Sequence, residues 1–336
     1  MNIHLLPKFQ VYIEMAANRV FNRQFAGILF PNPPVTPEKK RAKIDLLRQW
    51  NLLARNPLCR NGHPMKLERR NNLDGFRLKC HRQIRPGVKC GETRGLRKDT
   101  FFEWTEFDLG ELTYAIYLWT LGITGKSISA LSGIHENYVV LLRQKLRETC
   151  VNDFTNHPLS IDGSNGWTVQ IDESLFNHKP KRIGGRPRGR RANHQIWVFG
   201  MLETRPPAPG RGVYVVVPDR SRRTLTHIMN HFLRGNNVRI HSDCWRGYIN
   251  LPNFVRRCTI HETVNHSRHF VDPVTGAHIQ GIESAWNRMK GYIKNGRGCR
   301  RHYLQSFLDE HMWFDWQGGN DPFQSICRAI HDHFPV

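Results

Sequence analysis

Three carboxylates stand where a folded chain could bring them together. Asp172 ends the alternating run TVQID, Asp243 ends VRIHSD, and Glu283 lies within IESAWNRMKGYIKN. Successive side chains of a strand point to opposite faces, so Asp172 is set opposite Val169 and Ile171, and Asp243 opposite Val238 and Ile240. If these two strands lie side by side and parallel, both carboxylates meet at one end of a sheet. In the third segment Ile282, Trp286, Met289 and Ile293 recur at the steps of a helical core face, while Glu283, Asn287, Lys290 and Lys294 form a second line about a quarter turn away. Glu283 therefore borders the buried face, with Lys290 two turns further along the same side. Any one of these acids alone reads as a surface residue, but their joint placement reads as a cation site. Two Mg²⁺ or Mn²⁺ ions roughly 4 Å apart would neutralise such a cluster, activate a water or a 3′-hydroxyl and stabilise the leaving oxygen of a phosphodiester. Lys290 could hold a phosphate beside it.

A second group carries metal chemistry of another kind. Cys59 and His63 flank Arg60-Asn61-Gly62, and Cys80 and Cys90 follow at longer spacing. Three thiolates and an imidazole suit a tetrahedral Zn²⁺, and Gly62 and Gly91 supply the turns that a zinc ribbon needs. His81 is an alternative ligand, and free thiols are the bland reading. Zinc would supply folding energy to a segment with little apolar content. The basic residues Lys66, Arg69, Arg70, Arg77, Lys79 and Arg82 would then face nucleic acid. The other five of the eight cysteines (Cys150, Cys244, Cys258, Cys299 and Cys327) are scattered and read as small hydrophobes.

The elements that must position these groups change character along the chain. A proline-rich and charged stretch, residues 31–41, reads as a linker after an N-terminal arm, and an amphipathic helix is expected from Ala42 to Ala54. Residues 107–147 read as helices. Within them SISALSGIHENYVVLLRQKLRE has the form helix, glycine turn, helix, with Ser127 or Ser129 as cap; it suits either DNA reading or plain packing. From Trp167 the pattern becomes strands, interrupted by the helix LTHIMNHFLRG, closed by Gly235. The order β-β-β-α-β-β-α predicts an α/β fold with a mixed sheet covered by helices.

The 336 residues carry a net charge of +22, which points to a polyanionic partner, because each cation laid on a phosphate releases counterions. No apolar run reaches the roughly 20 residues of a membrane span, so no membrane partner is expected. The N-terminus lacks a secretory pattern, and an intracellular protein is expected: nuclear in a eukaryotic host, otherwise cytoplasmic. The basic stretch KPKRIGGRPRGRR contributes Lys179, Lys181, Arg182, Arg186, Arg188, Arg190 and Arg191. Its glycines and prolines forbid a helix, so it reads as a hairpin excursion clamping phosphates. Its PRGR core is similar to minor-groove hooks, and an import signal or a solvated loop are the other readings.

Together WTVQIDES, HQIWVFGMLE, IHSDCWRGY and IESAWNRMK resemble the Merlin-type DDE transposases and the bacterial insertion-sequence transposases related to them, over roughly residues 50–316. The resemblance implies a ribonuclease-H-like catalytic core preceded by a zinc-ribbon-like module. It also implies metal-dependent strand cleavage and strand transfer at transposon terminal inverted repeats, on double-stranded DNA, by a homo-oligomer. Asp172, Asp243 and Glu283 become the ligands of two Mg²⁺ or Mn²⁺ ions and Lys290 the basic residue after the glutamate. Gln280 occupies the place, three residues earlier, where bacterial relatives can carry the third group. The expected organisation is an arm and helix (1–54), a zinc-ribbon-like module with structural Zn²⁺ (55–100), a helical DNA-binding region (101–160), the catalytic domain (161–320) and a tail (321–336). The alternative is a transposase-derived DNA-binding regulator that has lost the reaction.

Overall fold

The computed structural model describes residues 27–30, 33–164, 166–176, 182–183, 186–187, 196–205, 208–265, 268–295 and 299–334. The chain forms two compact units, Met1–Asp153 with Gln317–Val336, and Phe154–Trp316.

In the first unit α1 spans Pro37–Gln49, earlier than the helix expected at Ala42–Ala54, and takes in part of the expected linker. Its start is set by chemistry: Thr36 accepts from the Lys39 N–H, and Pro37 sits in the first turn, where its missing N–H costs nothing. Five short strands follow: β1 (Met65–Arg69), β2 (Phe76–Cys80), β3 (Gln83–Arg85), β4 (Val88–Lys89) and β5 (Thr93–Gly95). They make an antiparallel sheet of order β1-β2-β5 and a separate β3-β4 hairpin. Three helices come next: α2 (Leu109–Thr120), α3 (Gly125–Ser132) and α4 (Glu136–Asn156). Thr124, rather than either serine, caps α3, and Gly133 closes it at φ 76°. Ile128, Ile134, Val139 and Leu142 are buried, while Leu131 and Val140 are exposed.

The second unit contains β6 (Thr168–Leu175), the short pair β7 (Arg182–Ile183) and β8 (Arg186–Pro187), β9 (Trp197–Arg205) and β10 (Ala208–Val217). Then come α5 (Arg222–Phe232), β11 (Val238–Ser242), β12 (Cys258–Thr263), α6 (Gln280–Asn295) and α7 (Leu304–Trp316). Five strands build a mixed sheet of order β10-β9-β6-β11-β12. β10, β9 and β6 run antiparallel to one another, while β11 is parallel to both β6 and β12. Gly235 is not the cap of α5, a place taken by Leu233; a Cβ at Gly235 would fall 1.7 Å from the Asp162 carbonyl oxygen, so glycine is needed for a close backbone approach.

α7 covers the β10 edge of this sheet. Gln305 accepts from the Val216 N–H and donates to the Tyr214 carbonyl, and the Trp316 indole donates to the Gly212 carbonyl. These bonds satisfy backbone groups that an edge strand would otherwise offer to another chain. The core between the layers includes Ile171, Met201, Leu225, Met229, Ile240, Ile282 and Trp286. After α7 the chain rejoins the first unit as α8 (Pro322–His333), capped by Asp321, so the expected tail is a helix with six buried residues.

The docking of α6 on the sheet requires Gly200 of β9. A Cβ there would lie 2.6 and 2.7 Å from the Trp286 ring and 3.0 Å from Ile282. Gly200→Val should therefore push α6 off the sheet and lower stability by at least ~1–3 kcal/mol, as for an overpacked core. The loss of melting temperature and of near-ultraviolet ellipticity measures it.

Candidate functional site

β6 and β11 pair in parallel with Arg239 opposite Thr168, Ile240 opposite Val169 and His241 opposite Gln170. Continued by two residues, this register sets Asp243 beside Asp172 at one end of the pair. β6 runs on to Leu175, paired only with β9, so Asp172 is not the last residue of its strand as the sequence suggested. Asp172 lies opposite Gly200, and the space left by that glycine admits the Trp286 ring, whose indole N–H donates to Asp172 Oδ2 at 2.9 Å.

The helix bearing Glu283 is anchored from the same strand. The Gln170 side chain, fully buried, accepts from the Ile282 N–H at 3.0 Å, taking one of the N–H groups that a helix start leaves unsatisfied. Its amide nitrogen lies 3.3 Å from His278 Nδ1. Gln170 and Trp286 thus fix both position and rotation of α6, leaving Glu283 half-buried in its first turn while Gln280 is exposed. Lys290 is exposed, with its ammonium 5.3 Å from the centre of the Phe176 ring. Burial lowers its pKa, and the charge of Asp172 raises it.

The carboxylates act on one another through charge. Burial, then the charges of Asp243 and Glu283, push the Asp172 carboxyl up to about 6, against the opposing hydrogen bond from Trp286. Asp243 Oδ1 is occupied by the Trp245 N–H at 2.9 Å, which turns the chain immediately after β11. The hard oxygen donors of Asp172, Asp243 and Glu283 fit Mg²⁺ or Mn²⁺.

Behind this end of the sheet lies a group the sequence reading missed. Glu173, with a side chain 3% exposed, accepts a very short hydrogen bond from the Tyr248 hydroxyl and lies 3.7 Å from Arg220. The Arg220 guanidinium is stacked between Trp197 and Trp245, at 3.9 and 4.3 Å from their ring centres. This links β6 to the turn after Asp243 through a buried acid. Burial, then the charges of Asp172 and Asp243, push Glu173 up to about 8, and Arg220 opposes the shift. The available sequence signal was parity: Glu173 follows Val169 and Ile171 on the apolar side of β6, where a carboxylate needs partners.

The predicted cysteine and histidine residues come together in the first unit. Cys59, His63, Cys80 and Cys90 place their ligand atoms within 4.8 Å of one another, the one such group of metal-ligating side chains among the described residues. The three carboxylates do not close to that spacing. The Cys59 N–H donates to the His63 carbonyl and the His63 N–H to Cys59 Sγ, while Gly62 and Gly91 take φ of 73° and 66°. The Cys90 N–H donates to the Arg82 carbonyl and the Asn61 amide to Cys90 Sγ, at 3.6 Å. The backbone N–H of Glu92, then His63 and Asn61, lower the Cys90 thiol to about 6, so it is largely thiolate at neutral pH; burial raises Cys80. His63 Nδ1 is buried without a hydrogen-bond partner. Soft, converging donors with an orphaned imidazole nitrogen fit Zn²⁺. His81 is exposed and outside the group.

Of the basic loop, Arg182 and Arg186 fall in the β7-β8 pair, whose register sets Arg182 opposite Pro187 and Ile183 opposite Arg186. Lys179, Lys181, Arg188, Arg190 and Arg191 lie outside the described residues. Among the five scattered cysteines, Cys244 departs from the small-hydrophobe reading, since it is exposed beside Asp243. Among the described residues no helix is long and apolar enough to cross a membrane.

Residues 163–314, somewhat under half of the chain, match the ISXO2-like transposase domain family. The match supports an insertion-sequence transposase domain of the DDE type, a class that acts on DNA and uses divalent metal ions. No curated protein matches the chain.

Two outcomes follow. A carboxyl whose pKa is raised by folding adds stability below its unfolded value and loses it as pH rises through the folded one. For Glu173 that window runs from about 4.5 to about 8. Metal-free protein should lose thermal stability across it, and Glu173→Gln, which keeps an acceptor for Tyr248, should flatten the dependence and raise the melting temperature at pH 8 by several degrees. For the sulfur site, metal analysis after dialysis should return stoichiometric zinc, and Cys80→Ser or chelation should make residues 55–100 sensitive to limited proteolysis.

Proposed function

We propose that the protein is a DNA transposase whose second unit is a ribonuclease-H-like core, performing metal-dependent strand cleavage and strand transfer at the terminal inverted repeats of its element. The observation that carries this is the parallel β6-β11 pair, which sets Asp172 beside Asp243 while Trp286 and Gln170 dock the helix of Glu283 against the same strand. The strand order β10-β9-β6-β11-β12 supports the ribonuclease-H-like reading, and the ISXO2-like match supports the transposase class. The earlier resemblance extends to Merlin-type enzymes, which we keep as a relationship of the same core.

In this reading Asp172, Asp243 and Glu283 hold two Mg²⁺ or Mn²⁺ ions, which supply charge and Lewis acidity for attack by water or a 3′-hydroxyl on a phosphodiester. Trp286 fixes the direction of one Asp172 oxygen. The Asx bond from the Trp245 N–H does the same for Asp243. Lys290, kept near Asp172 by α6, holds a phosphate of the scissile strand by charge. Glu173 and Tyr248 maintain the distance between the two strand ends. In the first unit Cys59, His63, Cys80 and Cys90 hold a structural Zn²⁺ that folds the short-stranded module. The helix pair α3-α4, the basic stretch KPKRIGGRPRGRR and the net charge of +22 serve double-stranded DNA, which a homo-oligomer would bring together at two ends.

The experiment compares wild type with Asp243→Asn on duplexes carrying the element's terminal repeats, with Mg²⁺ or Mn²⁺. Wild type should nick and join the DNA. Asp243→Asn should lose at least ~100-fold in rate, of the size seen when transition-state charge stabilisation is removed, with DNA affinity little changed. Equal behaviour of the two proteins rejects the catalytic assignment in favour of a DNA-binding regulator.

A further inference from the structure

We infer that the cleft between α1 and the β1-β2 hairpin is a phosphate-binding site, taking a backbone phosphodiester of double-stranded DNA. The inference rests on the reading of the protein as DNA-binding and adds a contact within the first unit, with side chains of its own.

The cleft has a volume of about 340 Å³ and is lined by Lys40, Arg69, Arg70, Asn71 and Asn72, with Pro37 at the start of α1. Three cations and two amides are donors, and the positive end of the α1 dipole adds to them. The wall is built around one of these cations. Lys40 crosses the hairpin, and its ammonium donates to the Leu73 carbonyl at 3.0 Å. Gly75, at φ 75°, permits that path, since a Cβ there would fall 2.7 Å from Lys40 Cδ.

Acids nearby are committed elsewhere. Asp74, in the same hairpin turn, is held by both nitrogens of an Arg97 fork at 2.9 and 2.5 Å, each side chain 11% exposed. Glu68 is taken by Arg77 and Lys79. Arg77 and Lys79, also expected to face nucleic acid, are ion-paired with Glu68 here. Glu38 bonds Arg69 at 2.6 Å, but both side chains are about two-thirds exposed, and such a pair contributes little and yields to a better acceptor. Arg70 projects from the end of β1 and is exposed, its N–H fixed by the Gly75 carbonyl.

The shape selects among anions. Among the described residues the lining contains no aromatic ring to stack a base, and its apolar residues are Val35 and Pro37. A free nucleotide or an acyl chain would find nothing to grip beyond its phosphate. A duplex offers phosphates at regular spacing, and contacts of this type set the register of a protein on DNA without reading sequence.

The test uses the full-length, metal-loaded protein and a fluorescent duplex, with affinity measured across a series of salt concentrations. Arg70→Gln should weaken binding several-fold and reduce the steepness of log K against log salt by about 0.9, the value of one phosphate contact. Asn71→Asp, which removes no cation but places a charge inside the cleft, should weaken binding at least as much. Unchanged melting temperatures are expected, since both side chains are exposed. Wild-type affinity and slope in both variants overturn the proposal. So does saturable binding of inorganic phosphate that Arg70→Gln abolishes while the DNA slope stays unchanged, which assigns the cleft to a small anion. A wild-type protein without salt-dependent DNA affinity brings down the DNA-binding reading itself, a result distinct from either.

Discussion

The hydrogen bond from the Trp286 indole to Asp172 is the contact on which the geometry of the second unit turns. A carboxylate half-buried on a sheet face carries a desolvation cost that a donor must offset. Here the donor sits on the helix that covers the face, so meeting the acid's need also fixes the helix. The indole reaches Asp172 only because the residue across the strand is Gly200. The same helix presents Glu283 one turn before Trp286 and Lys290 one turn after it, so a single contact sets the third carboxylate and the cation together. Gln170, two residues before Asp172 on the same face, completes the attachment by capping α6.

The site is acidic in a strongly basic chain, and the structure separates the two. Asp172, Asp243 and Glu283 stand toward one end of the β6-β11 pair, where burial first, and then the charges of Asp243 and Glu283, raise Asp172. Glu173, one residue on, faces the opposite side, and its demand is met by Tyr248 and by Arg220 between two indoles. Adjacent acids on one strand therefore have different surroundings: Asp172 meets the helix that covers the sheet, and Glu173 ties together the two strand ends. In the first unit the logic is reversed. Acids such as Asp74 and Glu68 are drawn into pairs with Arg97, Arg77 and Lys79, while Lys40 bonds a carbonyl, Arg69 meets an exposed Glu38 and Arg70 is exposed.

The carboxylate positions were legible because strand parity and helical steps are local properties. Asp172 and Asp243 could be set opposite their apolar neighbours, and Glu283 beside a core face, with no knowledge of the partner element. Cys59, His63, Cys80 and Cys90 were legible by residue type, since sulfur and imidazole at turn glycines have few other uses. Gln170, Glu173 and Arg220 were not, because a glutamine or glutamate inside an apolar run shows its function only when its partner is known, and those partners lie 75 or more residues away for Tyr248 and 112 for Ile282. The start of α1 was misplaced because proline after threonine reads equally as linker or as the first turn of a capped helix.

Short-range pattern and composition carry the alternation β-β-β-α-β-β-α, the charge that favours a polyanionic partner and the residue types available for metal chemistry. Long-range packing sets β6 and β11 adjacent and parallel, docks α6 through Trp286 into the space beside Gly200, leaves His81 outside the sulfur site and makes residues 322–333 a helix of the first unit. These depend on which distant surfaces are complementary in shape and hydrogen-bonding demand. No local period encodes that; it is settled when buried groups must find partners.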